Sequence, residues 1–379
     1  MNVLIITGIF PPDSGGPATY VPIIARALVE RGDRVTVITL SEVRSLETDG
    51  DDPFEVIRIR RGEFKPLRIL RTIAKILRLG RRADLLYVNG LGLEAAISNF
   101  LLRKPMVAKV VGDWAWERAH QRGWVDEDFE EFQKSHYGGR VRLLQILRNF
   151  YARRMDRVIV PSRYLGKMLI EWWGIHADRV VVIPNAFEPH NGSSNPVTLP
   201  LETEFKVITV GRLIRLKRVD ELIEVVAEIP KVGLVVVGDG PMQDALVRLA
   251  QDLEISDRVL FTGRIPQPQV TDYLQGCDLF VLNSTHEGLP HIVLEAMSAG
   301  ILVIATDVGG TGEIIRDGEN GILIRSGDRD ALKRAIIKLL EDPELRGRFA
   351  KAGRETLSRF SLEAMVTQTV RVLEAETRV

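Results

Sequence analysis

The chain has 379 residues, 45% hydrophobic and 27% charged, and its 51 Lys and Arg balance 51 Asp and Glu to a formal net charge of zero. That length exceeds one ordinary core and fits two domains, and the composition excludes a disordered or fibrous chain. A neutral total leaves no global field to gather nucleic acid or membrane, so any such attraction is local; a single cysteine, Cys277, excludes an internal disulfide and a cysteine-rich metal site.

Met1-Asn-Val-Leu-Ile-Ile-Thr7 is apolar but short, has no basic leader or cleavage site, and runs into a proline pair. It reads as a buried first strand, not a signal peptide. No apolar run reaches the length a bilayer demands, and the expected compartment is the cytoplasm. Further strands are predicted at 34–39, 56–60, 85–88, 107–111, 157–160 and 180–183, with helical patterns at 17–30, 67–79, 93–102, 141–154 and 164–173 between them. Continuous apolar strands separated by helices imply a parallel sheet covered on both faces. From 184 to 204 the chain turns polar and rich in Pro, Asn and Gly, the texture of a linker. The alternation restarts with strands at 206–210, 234–237, 259–262, 279–282, 302–305 and 321–324, and two helical patterns, 343–357 and 362–376, close the chain. The expected fold is α/β: two doubly wound, Rossmann-like domains in tandem facing a central cleft, with ligands beyond the carboxyl ends of the strands. Cys277 lies in the apolar run 277–282 and is expected to be a buried, inert thiol.

Residues that can carry chemistry follow the strands. After the first, Gly15-Gly16 lets the backbone approach a ligand closely and Pro17 suits a first helical turn. This segment is either a diphosphate cradle or a tight strand–helix loop; it is neither a Walker loop nor a complete G-x-G-x-x-G. At 65–82 a basic amphipathic helix sets Leu67, Leu70, Ile73, Ala74 and Leu77 on one face and five cations around the other. It suits an anionic membrane surface or, more plainly, a covering helix with solvated charges. Asp113, beyond the strand at 107–111, accepts a proton from an acceptor hydroxyl, orients a donor sugar, or caps a turn. Trp114, Trp116, Trp124 and Tyr137 nearby can stack on sugar faces, rest at a lipid interface, or form a small core under a long loop. Arg212 offers forked donors and Lys217 a mobile charge, together able to neutralise a diphosphate; Arg215 and Arg218 are read as solvated charges. Arg264 and Ile265 follow another strand. In Glu287-Gly-Leu-Pro-His-Ile-Val-Leu-Glu295 two carboxylates bracket a helix start, whose N–H groups around His291 and Ile292 suit a phosphate while the acids suit hydroxyls. The acidic run 49–52 precedes a strand and reads as a turn, and the six histidines lack ligand spacing, so no metal site is expected.

Several of these segments resemble glycosyltransferase family 4, of the GT-B fold. Arg212 and Lys217 match its G-R-x4-K element, Glu287 and Glu295 its E-x7-E signature, and Val308-Gly-Gly-Thr-Gly-Glu313 its V-G-G-x-x-E loop. Gly15-Gly16 is similar to the loop the family presents to donor phosphates. The resemblance implies that Glu295 accepts hydrogen bonds from ribose, Glu287 faces the transferred sugar, Arg264 and Ile265 lie at the base, and Glu313 is structural. Gly112-Asp113 departs from the family, many of whose members place a histidine there. The implied activity is retaining transfer of a hexose-type sugar from a nucleotide-diphosphate sugar to a hydroxyl acceptor (glycan, glycolipid or small molecule), without metal or cofactor. The implied partners are the nucleotide sugar and a sugar or lipid-linked acceptor; the 65–82 helix offers a peripheral contact with an anionic membrane as one of its two readings, and the neutral charge gives no expectation of nucleic acid. The implied domains are an acceptor-side domain over 1–186, completed by a returning helix at 360–379, and a nucleotide-sugar domain over 187–359. A sugar-nucleotide 2-epimerase of the same architecture and a non-catalytic sugar-nucleotide-binding protein remain the alternatives.

Overall fold

The computed structural model describes residues 1–13, 15–43, 45–127, 129–188 and 196–377, and the side chains of these except Glu47 and Thr48. Residues 189–195, the middle of the expected linker, lie outside the described residues. The chain divides into two compact units, one of Met1–Asn185 with Glu363–Val379, the other of Ala186–Leu362.

In the first unit the strands are β1 (Asn2–Thr7), β2 (Arg34–Ser41), β3 (Glu55–Arg60), β4 (Leu85–Asn89), β5 (Met106–Lys109), β6 (Arg157–Val160) and β7 (Val180–Val182). Its helices are α1 (Gly16–Glu30), α2 (Lys65–Gly80), α3 (Gly92–Leu102), α4 (Trp114–Gln121), α5 (Phe129–Lys134), α6 (Gly139–Ala152) and α7 (Arg163–Trp173). Among the described residues the strands form one sheet in the order β3-β2-β1-β4-β5-β6-β7, every pair parallel.

The second unit contains β8 (Phe205–Val210), β9 (Val232–Val237), β10 (Val259–Gly263), β11 (Leu279–Leu282), β12 (Leu302–Thr306) and β13 (Ile322–Ile324). Helices α8 (Val219–Ala227), α9 (Gln243–Asp252), α10 (Gln267–Gln275), α11 (His291–Ala299), α12 (Thr311–Ile314), α13 (Arg329–Glu341) and α14 (Pro343–Thr356) connect and follow them, and α15 (Leu362–Thr377) ends the chain. The sheet order is β10-β9-β8-β11-β12-β13, again all parallel.

Successive strand residues serve opposite layers of the second unit. Val207, Leu234, Leu279 and Ile304 join one apolar cluster, and their neighbours Ile208, Val235, Phe280 and Ala305 join the other. Side chains alternate across a strand, so a sheet covered on both faces needs apolar residues at every position. That is why these strands read as unbroken hydrophobic runs. Cys277 is buried at the edge of one cluster, where desolvation pushes its thiol up to about 12.

The expected strand at 107–111 stops at Lys109; Val110 still donates to Ile159 O at 2.9 Å, but Val111 faces outward. The stretch beyond it, read as a long loop, instead holds α4 and α5. Both are too short to carry a legible helical period. α15 returns to the first unit, where Thr369 Oγ1 meets the buried Tyr20 hydroxyl at 3.1 Å and Glu376 pairs with Arg157 at 2.8 Å. Among the described residues no helix is long and apolar enough to cross a membrane.

Candidate functional site

β8 and β11 are neighbours in the second sheet, but the chain leaves β8 toward β9 on one side and β11 toward β12 on the other. Such a reversal of strand order opens a crevice beyond the carboxyl ends of the two strands, because their loops turn apart. The loop after β8 carries Arg212 and Lys217; the loop after β11 carries Glu287.

The β8 loop is held by backbone. Gly211 accepts the close approach of Gly238, where an added Cβ would sit 1.9 Å from Gly211 O, and Leu213 N donates to Asp239 O at 2.8 Å. Thr285 N, from the β11 loop, donates to Leu216 O at 2.8 Å. The two loops therefore meet just where Lys217 emerges. Its Nζ lies 2.5 Å from Glu287 Oε1, which also accepts the Ser284 hydroxyl at 2.6 Å. Glu287 is braced from behind: Gly310 N donates to its carbonyl at 3.3 Å, and a Cβ on Gly309, which holds φ 57°, would stand 1.6 Å from that oxygen. Gly309 and Gly310 thus pack against the backbone of Glu287. Glu313, in the short α12, is half-buried, and its carbonyl accepts from Arg359 at 3.0 Å.

Arg212 is exposed and enters no ion pair among the described residues. Arg218, expected to be a solvated charge, is instead tied to Glu221, and Asn283 Nδ2 donates to Arg218 O at 3.2 Å. A left-handed backbone at Arg218 (φ 44°) turns the chain into α8. Arg215 is exposed, as expected.

α11 opens at His291, behind Pro290, and no side chain caps it. The amides of a first helical turn have no intrahelical acceptor and carry the positive end of the helix dipole, which suits an anion. His291 and Ile292 stand in that turn, both half-buried. One turn on, both oxygens of Glu295 accept Gln267 Nε2, at 2.9 and 3.0 Å. Burial pushes the Glu295 carboxyl up to about 7, against the opposing pull of the Gln267 hydrogen bond. Gln267 begins α10, just after Arg264 and Ile265 at the end of β10; Arg264 is exposed and Ile265 packs on the apolar cluster below. Lys217, Glu287 and Ser284 thus form one group, and Glu295 with Gln267 a second on the same helix–loop scaffold. Neither Ser284 nor Gln267 was marked in the sequence; only Ser284's place at a strand end, three residues before Glu287, could have singled it out.

In the first unit, Gly15 caps α1 with φ 143°, a backbone that excludes side chains, and Pro17 occupies the first turn. Both Gly15 and Gly16 are exposed, and a Cβ on Gly16 would touch nothing within 4 Å. Two arginines hold this loop. Arg58 pairs with Asp49 at 2.6 Å and donates to Pro11 O at 2.7 Å, and Arg61 pairs with Asp13 at 2.5 Å. Asp49 of the acidic run is thereby a turn residue bonded to arginine, which holds its carboxyl below the usual range.

Asp113 is not placed to accept a substrate proton. Its side chain is 0% exposed. One oxygen caps α4 by accepting from Ala115 N and Trp116 N at 2.9 and 3.3 Å; the other accepts Gln133 Nε2 at 2.9 Å and pairs with the buried Arg148. A carboxylate needs a free, accessible lone pair to act as a base, and both oxygens here already accept from buried donors. Of the three roles open to it in the sequence (proton acceptor, orienter of the donor sugar, cap), the geometry shows the cap. The surrounding aromatics follow suit. Trp116 packs edge-on to Phe129 at 5.6 Å, Trp114 Nε1 donates to Tyr151 at 3.1 Å, and Tyr137 lies 5.2 Å from Phe132. They build a local core around α4–α6.

Two family profiles match the chain: "Glycosyltransferase Family 4" over residues 14–191 and "Glycosyl transferases group 1" over 194–356. Among curated proteins, the lipopolysaccharide core biosynthesis glycosyltransferase LpsE of Rhizobium meliloti is 39% identical over 171 residues, 45% of this chain and 50% of that one. The chain thus spans about half the length of the curated relatives it matches at highest identity, 44–50%. A GDP-mannose-dependent alpha-(1-6)-phosphatidylinositol monomannoside mannosyltransferase of Mycolicibacterium smegmatis is 26% identical over 93% of this chain and 92% of its own. Among solved structures, Anabaena HepE in complex with UDP superposes with a TM-score of 0.76 at 24% identity, covering 99% of this chain and 100% of that one. At that identity the likeness establishes a shared fold.

Proposed function

Because the chain belongs to glycosyltransferase family 4, we propose that it moves a hexose-type sugar from a nucleotide-diphosphate sugar to a hydroxyl acceptor, with retention of anomeric configuration. The observation that carries this reading is the Lys217–Glu287 pair at the switch point of the second sheet, with Arg212, which enters no ion pair among the described residues, and the start of α11, which no side chain caps. Cations and a helix start suit a diphosphate, carboxylates suit sugar hydroxyls, and a nucleotide sugar has both.

On donor arrival Lys217 exchanges Glu287 for diphosphate oxygens. Glu287, still oriented by Ser284, then accepts from hydroxyls of the transferred sugar. Arg212 takes the diphosphate through its forked donors, and the α11 amides around His291 and Ile292 complete the cradle. Glu295, oriented by Gln267, receives the ribose hydroxyls, and Arg264 and Ile265 flank the base. As the sugar–phosphate bond breaks, negative charge grows on the leaving oxygen, where Arg212 and Lys217 stabilise it without a metal. Glu287 is engaged as a hydroxyl acceptor and is not free to act as a nucleophile. The acceptor oxygen therefore attacks on the departing face, and its proton passes to the leaving phosphate oxygen.

The relatives named for lipopolysaccharide core and phosphatidylinositol mannoside support an acceptor of glycolipid class. α2 supports a contact with the membrane that would hold it: Thr72 and Ile76 are buried, while Phe64, Leu67 and Leu70 are 76%, 45% and 64% exposed among Lys65, Arg68 and Lys75.

The test is to incubate the chain with UDP- and GDP-sugars, with and without glycolipid acceptors, and to follow nucleoside diphosphate release and product anomer. Acceptor-dependent release, abolished by Glu287→Ala, supports the proposal. An epimerised sugar nucleotide formed from donor alone, an inverted product, or binding with no turnover across the panel overturns it.

A further inference from the structure

The chain is neutral overall, yet one surface of the first unit is strongly basic. α3 and α6 pack together, and beside them lie two adjoining hollows of about 560 and 450 Å³ that share Arg153 and Arg154. Arg142 lines the first hollow; Arg103 and Arg179 line the second. No carboxylate lines either one, and none of these guanidiniums enters an ion pair among the described residues. Two of them are fixed by neutral partners. Arg153 Nε donates to Trp173 O at 2.7 Å, and the Arg154 guanidinium carbon stands 4.0 Å from the centre of the Phe100 ring and 4.3 Å from that of Phe150. Like charges gathered without a counter-charge repel one another, and a bound anion relieves that repulsion.

The rim of the same surface is apolar. Phe100 and Leu101 of α3 are 52% and 78% exposed, and Leu143 and Ile146 of α6 are 54% and 51% exposed. Single exposed hydrophobics need no explanation, but four of them on the two packed helices, with Phe100 and Ile146 themselves lining the arginine hollows, complement a molecule with an anionic head and an apolar tail.

We propose that this face docks on anionic phospholipid, its arginines holding head-group phosphate oxygens and its four apolar side chains entering the acyl boundary. Arginine suits this task because its planar fork meets phosphate through two parallel hydrogen bonds. A free phosphate ion or a purely acidic protein surface would leave the exposed apolar side chains unused. The site is separate from the α2 contact and does not depend on the transferase reading, since docking is measured without turnover.

The full chain is sedimented with vesicles of phosphatidylcholine alone and of phosphatidylcholine with phosphatidylglycerol. Binding is expected only to the anionic vesicles, weakening as salt rises. The double variant Arg103→Gln/Arg142→Gln should lower the partition coefficient roughly 30-fold, from about 1 kcal/mol per surface arginine. Leu101→Ser should lower it further, and since all three side chains are exposed the melting temperature of each variant should stay that of the parent. Equal binding to both vesicle types, no binding to either, or undiminished binding by the double variant overturns the proposal. So does stabilisation of the parent by inorganic phosphate when the vesicles do not bind, or displacement of bound chain from vesicles by inorganic phosphate at constant ionic strength.

Discussion

The two sheets have the same parallel architecture and a switch point each, yet they use charge in opposite ways. In the first sheet the loop after β1 is closed by its own ion pairs. Arg58 is committed to Asp49 and Arg61 to Asp13, and each also donates to a carbonyl of that loop, Pro11 O and Gly8 O. In the second, the loops after β8, β9 and β11 are stitched largely through backbone and glycine contacts, with Asn283 Nδ2 donating to Arg218 O and Arg218 paired to Glu221. Charged side chains stay available there: among the described residues Arg212 enters no ion pair, Lys217 and Glu287 form a pair that a ligand can open, and Glu295 accepts from a neutral amide. A loop braced by charge has none to offer a ligand, and a loop braced by backbone keeps its charges for one.

The largest expected effect falls in the first unit and concerns stability, not ligand. Asp113→Ala removes a helix cap and leaves Arg148 buried without its carboxylate, a loss of about 3–5 kcal/mol, read by denaturant unfolding. The folded fraction should bind nucleotide normally; lost turnover with unchanged stability would restore Asp113 to the chemistry. Lys217→Ala should do the reverse. Unfolding should change little, while turnover falls roughly 100- to 1,000-fold through the missing charge on the leaving diphosphate, as steady-state kinetics would show.

Gly309→Ala tests the backbone bracing. Its Cβ meets the Glu287 carbonyl and its φ is left-handed. A cost of about 1–3 kcal/mol, together with weakened donor binding as Glu287 shifts, is expected by thermal melting and calorimetric titration; an unperturbed double outcome would mean that the loop is loosely held.

Glu295 sharpens the contrast through pH. Its carboxyl, pushed up to about 7, is largely protonated in the free protein below that pH. Ribose hydroxyls donating to it favour the charged form, so donor binding releases a proton, and affinity should rise as pH climbs toward 7 and level off above. The slope is at most about tenfold per pH unit. Glu295→Gln should flatten it, and a slope that survives the substitution assigns the proton elsewhere. For folding the sign is different. A carboxyl raised in the folded state favours folding below its ordinary value of about 4.3, and that contribution is lost as pH rises toward 7. The smallest effect is expected for Arg61→Ala, which breaks a partly exposed pair and should cost under about 1 kcal/mol, with donor affinity unchanged.

Most of the fold was legible because its signals are local. Both-face burial writes each strand as an apolar run, as at Val207–Ile208 and Leu279–Phe280, and the polar stretch from 184 marked the passage between units. α4 and α5 were not legible, since eight and six residues are too few to display a helical period. In the candidate site, Arg212, Lys217, Glu287 and Glu295 stood out through motif spacing. Gln267 did not, because a glutamine at a helix start looks like any other until its partner, 28 positions away, is beside it.

The amino-acid order by itself determined the alternation of strands and helices, the glycines at tight turns and the charged residues available at strand ends. These depend on backbone conformation and side-chain periodicity over a few residues. Only the tertiary structure decided which charges are spent on the fold and which remain for a ligand. Asp113 and Glu287 are both carboxylates just beyond a strand, and the difference between them is Arg148 in a sealed interior against Lys217 at an open switch point. Pairing across 35 and 70 residues is set by sheet order, which no local stretch of sequence contains.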